Sequence, residues 1–121
     1  MPLQSYRELT VWQKSLTLVV DVYKLTESFP REELYGLTSQ MRRAAVSIPS
    51  NIAESRRRGS RLDFRHFLLT SLGSGAELET QLEIVKRLPF GRTLKLEIIE
   101  ATRDEVMRML NRMIAALQAK S

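Results

Sequence analysis

Apolar residues recur at intervals of three and four along most of the chain, and this spacing marks one face of an α-helix. In the first segment the pattern runs through Leu9, Trp12, Leu16 and Val19. No stretch alternates with the two-residue period of a β-strand for long enough to compete. The pattern breaks at Phe29-Pro30, at Gly59 and at Leu88-Pro89-Phe90-Gly91. It therefore predicts four helices, over about residues 7–27, 31–58, 61–87 and 93–118.

Helices of about 20 residues joined by short connections favour an antiparallel up-down four-helix bundle, because short loops place consecutive helices side by side. A chain of 121 residues fits one such domain, spanning residues 1–121. Pro49 lies between Ile48 and Ile52 on one apolar stripe, so the second helix should continue through it. A proline inside a helix removes a donor and crowds the carbonyl four residues earlier. The sequence therefore predicts an all-α bundle whose second helix is kinked at Pro49.

The first helix carries two apolar stripes on nearly opposite sides, and a bundle core accounts for only one of them. We expect the stripe that contains Trp12, Leu16, Val20 and Tyr23 to face the core. The other stripe, together with apolar residues away from the main face of the third helix, predicts a homo-oligomer interface. The predicted interface residues are Val11, Leu18, Val22, Leu25, Leu69 and Leu72. The alternative is a monomeric bundle that exposes several leucines at little cost.

Seven arginines fall within residues 42–65, where only two acidic residues, Glu54 and Asp63, accompany them. The local excess of five positive charges equals the formal net charge of the whole chain, so the remaining residues are balanced. The seven are Arg42, Arg43, Arg56, Arg57, Arg58, Arg61 and Arg65. Such a concentration of one charge predicts a surface for a polyanion.

In helical projection Arg42, Arg43 and Arg57 turn away from the core stripe of the second helix, and Arg42 and Arg57 lie about 22 Å apart along it. This length suits a nucleic-acid backbone better than one small anion. Because phosphate contacts carry no base information, RNA or DNA should bind with little sequence specificity. The aromatic residues expected near the arginines, Phe64 and Phe67, are better explained as core. The alternative use of the arginines is inter-subunit salt bridges, with acidic residues such as Glu77, Glu79 and Glu83.

No catalytic residue, metal site or cofactor site is identifiable in the sequence. His66 is the only histidine and the chain has no cysteine, so the usual metal-ligand sets cannot be completed. The Glu-x-x-His pairs of di-iron bundles do not occur either. We therefore expect a non-enzymatic protein without a cofactor. No run of residues is apolar enough to span a membrane and no signal peptide is recognisable, so a cytoplasmic location is expected.

Three segments of the chain resemble a bacterial four-helix bundle family, the proteins encoded in intervening sequences of 23S ribosomal RNA genes. The first segment is Tyr6-Arg7-Glu8-Leu9-Thr10-Val11-Trp12-Gln13. The second runs from Glu33-Leu34-Tyr35-Gly36-Leu37 to Asn51-Ile52-Ala53-Glu54, and the third contains Gly73-Ser74 and Glu77-Leu78. Ser55 departs from the family, which usually has glycine there, but it should point to the apolar side and keep a small residue in place.

The resemblance implies an up-down bundle that assembles into a ring-like homopentamer. The chain is also similar to the accessory proteins of diversity-generating retroelements, which bind a reverse transcriptase and nucleic acid. This similarity implies an alternative function, an assembly or adaptor protein for a protein partner such as a reverse transcriptase. The partners expected are therefore further copies of the chain, nucleic acid and another protein, but no membrane.

Overall fold

The computed structural model describes residues 5–57 and 59–119, and every regular element within these ranges is helical. The four long helices are α1 (Thr10–Thr26), α2 (Ser39–Arg57), α3 (Arg61–Arg87) and α4 (Glu97–Ala119). The shorter elements are 3₁₀ turns at Tyr6–Glu8, Arg31–Glu33 and Pro89–Gly91 and a π-helical turn at Leu34–Thr38. The predicted all-α fold with four helices is confirmed.

Side-chain caps and local turns explain where α3 and α4 begin. The Ser60 hydroxyl accepts a hydrogen bond from the backbone N–H of Asp63 at 3.0 Å, and this caps α3. α4 begins at Glu97 instead of near Thr93. The reason is that the Pro89–Gly91 turn is extended by a hydrogen bond of 3.2 Å from the N–H of Leu94 to the carbonyl of Gly91.

The residues expected to open the second helix form two separate turns before α2. Gly36 has φ −114° and ψ −110°, outside the helical region, so the chain changes direction there and regular α-helix starts only at Ser39. The Glu33 carboxylate accepts a hydrogen bond from the N–H of Leu37 at 3.3 Å and closes the π-helical turn. This irregular entry places Leu34 and Tyr35 on the surface beside the first turns of α2.

The four helices enclose one core. α1 packs on α2 and α4, and α3 packs on the same two helices, so the contacts form a closed circuit. The largest fully buried apolar side chains are those of Leu18, Met41, Ile48, Ile52, Leu68, Leu78, Leu82 and Leu110. Pro49 is buried inside α2, which continues through it to Arg57. The up-down order of the helices and the bend at Pro49 remain predictions.

The stripe of α1 that faces the core is the opposite of the expected one. Val11, Leu18 and Val22 are at most 2% exposed, whereas Leu16 and Val20 on the other side are 37% and 50% exposed. Because Val11, Leu18 and Val22 pack inside a single chain, their assignment to an oligomer interface is wrong. Of the other three residues assigned to that interface, Leu25 and Leu72 are half-buried against the core and Leu69 is exposed on α3.

Small hydroxyl residues explain this choice of stripe. Ser15 and Thr26 lie on the buried side of α1, and their hydroxyls donate to carbonyls of the same helix, Trp12 at 2.7 Å and Val22 at 2.8 Å. With their donors satisfied within α1, both behave as small core residues and let the neighbouring helices approach closely. The bulky side chains of Leu16, Val20 and Tyr23 are left toward solvent.

Candidate nucleic-acid interface

The arginines lie at the two ends of α2 instead of along its whole length. Arg42 and Arg43, in the first turns of α2, form what we call the Arg42 cluster. Arg56 and Arg57 at the end of α2, with Arg61 and Arg65 at the start of α3, form the Arg56 cluster. Arg58 lies outside the described residues. About 22 Å of helix separates Arg42 from Arg57.

The Arg42 side chain is fixed against the end of α1. Its Nε donates to the Thr26 hydroxyl at 2.8 Å, its Nη2 donates to the Tyr23 carbonyl at 3.3 Å, and its Cζ lies 4.4 Å from the centroid of the Tyr23 ring. These partners are neutral, so they fix the position of the guanidinium without forming an ion pair with it. Arg42 is half-buried as a result, which differs from the fully outward placement that the helical projection predicts.

Of the other arginines of the two clusters, three are exposed and two, Arg56 and Arg65, are half-buried like Arg42. Arg43 and Arg57 are exposed, and neither forms an ion pair within the described residues. The guanidinium of Arg56 lies 5.5 Å from the centroid of the half-buried Phe64 ring. Arg61 is exposed and Arg65 half-buried at the start of α3. Arg43 and Arg57 are therefore the cations of α2 most accessible to a bound anion.

Three of the ion pairs found elsewhere in the described residues join α4 to α1 or α3. Lys14 of α1 pairs with Glu105 of α4 at 3.2 Å, and Arg103 of α4 pairs with Glu79 of α3 at 3.3 Å. Lys86 donates to Glu100 at 2.6 Å and to Glu83 at 3.0 Å, and these hydrogen bonds raise the pKa of Lys86 above its ordinary value. Glu79 and Glu83 are thus already paired within the chain.

An apolar groove separates the two arginine clusters on the surface between α1 and α2. Its volume is about 290 Å³ and we call it the Trp12 groove. It is lined by Tyr6, Trp12, Leu16, Val19, Val46, Pro49, Ser50 and Ala53. Arg7 stands beside it, 5.8 and 5.9 Å from the ring centroids of Tyr6 and Trp12. The cationic surface is therefore interrupted at its middle, which counting the charges alone did not reveal.

A second depression adjoins the Arg42 cluster, and we call it the Tyr35 pocket. It has a volume of about 490 Å³ and shares Val46 with the Trp12 groove. It is lined by Tyr23, Leu34, Tyr35, Thr38, Ser39, Arg42, Arg43 and Val46. Tyr35 is 93% exposed. Sequence reasoning missed both tyrosines, because Tyr23 is 19 residues from its partner Arg42 and only the packing of α1 on α2 brings them together.

The described residues hold no group of three or more potential metal ligands. Within the same ranges, no helix combines the length and the apolar character that crossing a membrane requires. Ser55 is fully buried, and its hydroxyl donates to the Ile52 carbonyl at 2.6 Å, so it lies on the apolar side of α2 as predicted.

Comparisons with known proteins agree with this architecture. The sequence profile of the 23S rRNA-intervening sequence protein family matches residues 7–112. The structure is similar to the crystal structure of a protein of unknown function from the S23 ribosomal protein family of Bacteroides thetaiotaomicron. The TM-score is 0.75 at 27% sequence identity, over 87% of this chain and 98% of that chain. A comparison with curated protein sequences gave no match.

Proposed function

The chain belongs to the 23S rRNA-intervening sequence protein family, and we propose that it is a non-enzymatic helical-bundle protein that binds RNA or DNA with little sequence specificity. The Arg42 and Arg56 clusters are the proposed contact surface. The observation that carries the proposal is the exposure of Arg43 and Arg57, which have no ion pair within the described residues.

The spacing of the clusters supports a long anion. The distance of about 22 Å from Arg42 to Arg57 is long enough to span several phosphates; along one strand of a duplex it corresponds to roughly six, at 3.4 Å of helix axis each. Phosphate contacts of this kind hold a backbone in place without reading bases. Guanidinium groups also match phosphate geometry with two parallel hydrogen bonds, which a lysine cannot provide.

The pairing of Glu79 and Glu83 argues against the use of the arginines in inter-subunit salt bridges alone. Arg103 and Lys86 occupy these two carboxylates within the chain. Of the three acidic residues considered as inter-subunit partners, only Glu77 is exposed without an ion pair in the described residues. These two carboxylates are therefore less available to the arginines of a second subunit, which favours a nucleic acid as the counterion of the exposed Arg43 and Arg57.

We also propose that the protein is a homo-oligomer, with five subunits as the resemblance implies. The outer face of α1 supports the first part of this proposal. Leu16 and Val20 are 37% and 50% exposed, and Val46, which lines the Trp12 groove with Leu16, is 39% exposed. Contiguous exposed apolar residues of this kind mark interaction sites. The Trp12 groove thus replaces Val11, Leu18 and Val22 as the proposed contact between subunits.

The same groove favours a second candidate function, that of an assembly or adaptor protein. In that case another protein, such as a reverse transcriptase, would occupy the Trp12 groove. A pull-down from cell extract with and without nuclease separates the two functions. Partners lost after nuclease treatment reach the protein through nucleic acid, whereas partners retained after it bind the protein itself.

The direct test of nucleic-acid binding is fluorescence anisotropy with a labelled RNA and a labelled DNA at low salt. Arg43→Ala with Arg57→Ala should weaken binding of both and leave the fold intact, since both side chains are exposed. Arg42 is left unchanged because its substitution would also remove the hydrogen bonds to Thr26 and Tyr23.

The matched control is Arg92→Ala with Arg108→Ala, which removes the same charge from two exposed sites outside both clusters. We expect this control to bind nearly as the parent does. No binding by the parent at low salt, or equal losses in the two double variants, would contradict the proposed surface.

A further inference from the structure

We infer that the Tyr35 pocket receives an unpaired nucleobase, so that the nucleic acid bound by this protein is single-stranded where it crosses the Arg42 cluster. This inference rests on the proposed function and specifies the class of nucleic acid. It is carried by the combination of two accessible tyrosines with two arginines around one depression.

The aromatic rings supply the surface on which a base would stack. Tyr35 is 93% exposed and Tyr23 is 41% exposed. Stacking of bases on aromatic side chains is the main sequence-independent source of affinity for single strands. Bases inside a duplex are already stacked and paired, so their faces are not available to such rings. The accessible Tyr35 ring would therefore add affinity for a single strand but not for a duplex.

The two arginines place positive charge next to these rings. The hydrogen bonds of Arg42 to Thr26 and Tyr23 hold its guanidinium over the Tyr23 ring, 4.4 Å from the centroid. A guanidinium fixed in this way is itself a flat surface against which a base can stack. Arg43 is exposed and forms no ion pair within the described residues, so it remains available for the phosphate beside the bound base.

The size and polarity of the pocket suit a base of any identity. Its volume of about 490 Å³ lies in the range of about 300–1,000 Å³ that small-molecule sites occupy. Leu34 and Val46 give it an apolar wall, and Thr38 and Ser39 contribute hydroxyl groups. A hydroxyl both donates and accepts, so it can pair with the polar edge of any base. Stacking in this pocket therefore agrees with low sequence specificity.

The test compares a labelled single-stranded oligonucleotide with a duplex of the same length and sequence, by anisotropy at one salt concentration. Tyr35→Ala should weaken single-strand binding about 5- to 150-fold, the range for one stacked base, and leave duplex binding unchanged. Tyr35→Phe keeps the ring and should bind as the parent does. Ile98→Ala removes an apolar side chain that is 76% exposed on α4 and serves as the matched control.

An abasic oligonucleotide, which keeps the phosphates but lacks bases, completes the test. It should bind the parent more weakly than the normal strand does. The abasic and the normal strand should bind Tyr35→Ala with the same affinity. Equal losses for single strand and duplex in Tyr35→Ala would overturn the inference and leave the proposed function standing. Absence of all binding by the parent would overturn the proposed function itself. A change in the mass of Tyr35→Ala by light scattering would instead assign the pocket to a contact between subunits and also overturn the inference.

Discussion

Gly73 and Gly91 have opposite surroundings, and replacing each with alanine should have opposite effects on stability. Gly73 lies at an exposed position in the middle of α3, and a Cβ there would meet no atom within 4 Å. Gly73→Ala should therefore raise the free energy of unfolding by about 0.5–1 kcal/mol, the difference in helix propensity. A Cβ at Gly91 would overlap the backbone carbonyl of Val85. Because backbone cannot move aside cheaply, Gly91→Ala should lower the free energy of unfolding by about 1–3 kcal/mol.

Urea unfolding at one fixed protein concentration measures both glycine variants, since subunit association makes apparent stability depend on concentration. A Gly91→Ala protein as stable as the parent would contradict the close approach seen at the Pro89–Gly91 turn.

Gly75 is an intermediate case, because its Cβ would overlap the flexible end of the Met107 side chain, which can turn away. The close neighbour of Gly75 is thus a side chain of α4 and not a helix backbone.

At the scale of single elements, α2 and α3 are joined by serine hydroxyls as well as by apolar packing. Ser71 of α3 is fully buried and donates to the Ile48 carbonyl of α2 at 2.9 Å, and Ser47 and Ser74 share a hydrogen bond of 2.7 Å. Ser71→Ala should cost about 0.5–1.5 kcal/mol, the net value of one hydrogen bond.

Ser28→Ala is the control for this helix contact, because the Ser28 hydroxyl is exposed and donates only to the nearby Leu25 carbonyl. It should change stability by less than about 0.5 kcal/mol. A Ser71→Ala protein no less stable than Ser28→Ala in urea would show that the bond to Ile48 contributes nothing.

The existence of the helices was predictable from the sequence, but the side of α1 that is buried was not. The spacing of apolar residues and the breaks at Phe29-Pro30, Gly59 and Leu88–Gly91 fix where helices can form, and the structure has four long helices there. Both stripes of α1 are apolar, so periodicity alone cannot choose between them. The choice depends on Ser15 and Thr26, which count as core residues only because their own helix satisfies their hydroxyls.

The candidate site was likewise predictable from the sequence only in part. Its arginines were visible as a local charge excess, whereas the Tyr35 pocket depends on contacts between α1, the π-helical turn and α2. Tyr23 and Tyr35 belong to separate elements, and no local pattern predicts that they line one depression with Arg42 and Arg43. Local chemistry was therefore predictable, and the grouping of distant residues required the fold.

At the scale of the whole molecule, the exposed face of α1 predicts how assembly can be broken without unfolding the chain. Leu16→Glu with Val20→Glu places two charges on this face and should convert the oligomer to a monomer, as measured by light scattering after size exclusion. The helical circular dichroism should stay unchanged, since both residues lie outside the core. Ile98→Glu on α4 is the control and should keep the parent mass. A parent protein that is already monomeric would contradict the proposed assembly.

The salt dependence of nucleic-acid binding tests the central claim most directly, because it counts the phosphates that the arginines neutralise. For the parent, the logarithm of the affinity should fall linearly with the logarithm of the salt concentration, by about 0.7–0.9 per phosphate contact. Arg43→Ala with Arg57→Ala should flatten this slope by about 1.4–1.8 for each subunit in contact, whereas Arg92→Ala with Arg108→Ala should leave it unchanged. Identical slopes for the two double variants would contradict the assignment of the Arg42 and Arg56 clusters as the nucleic-acid surface.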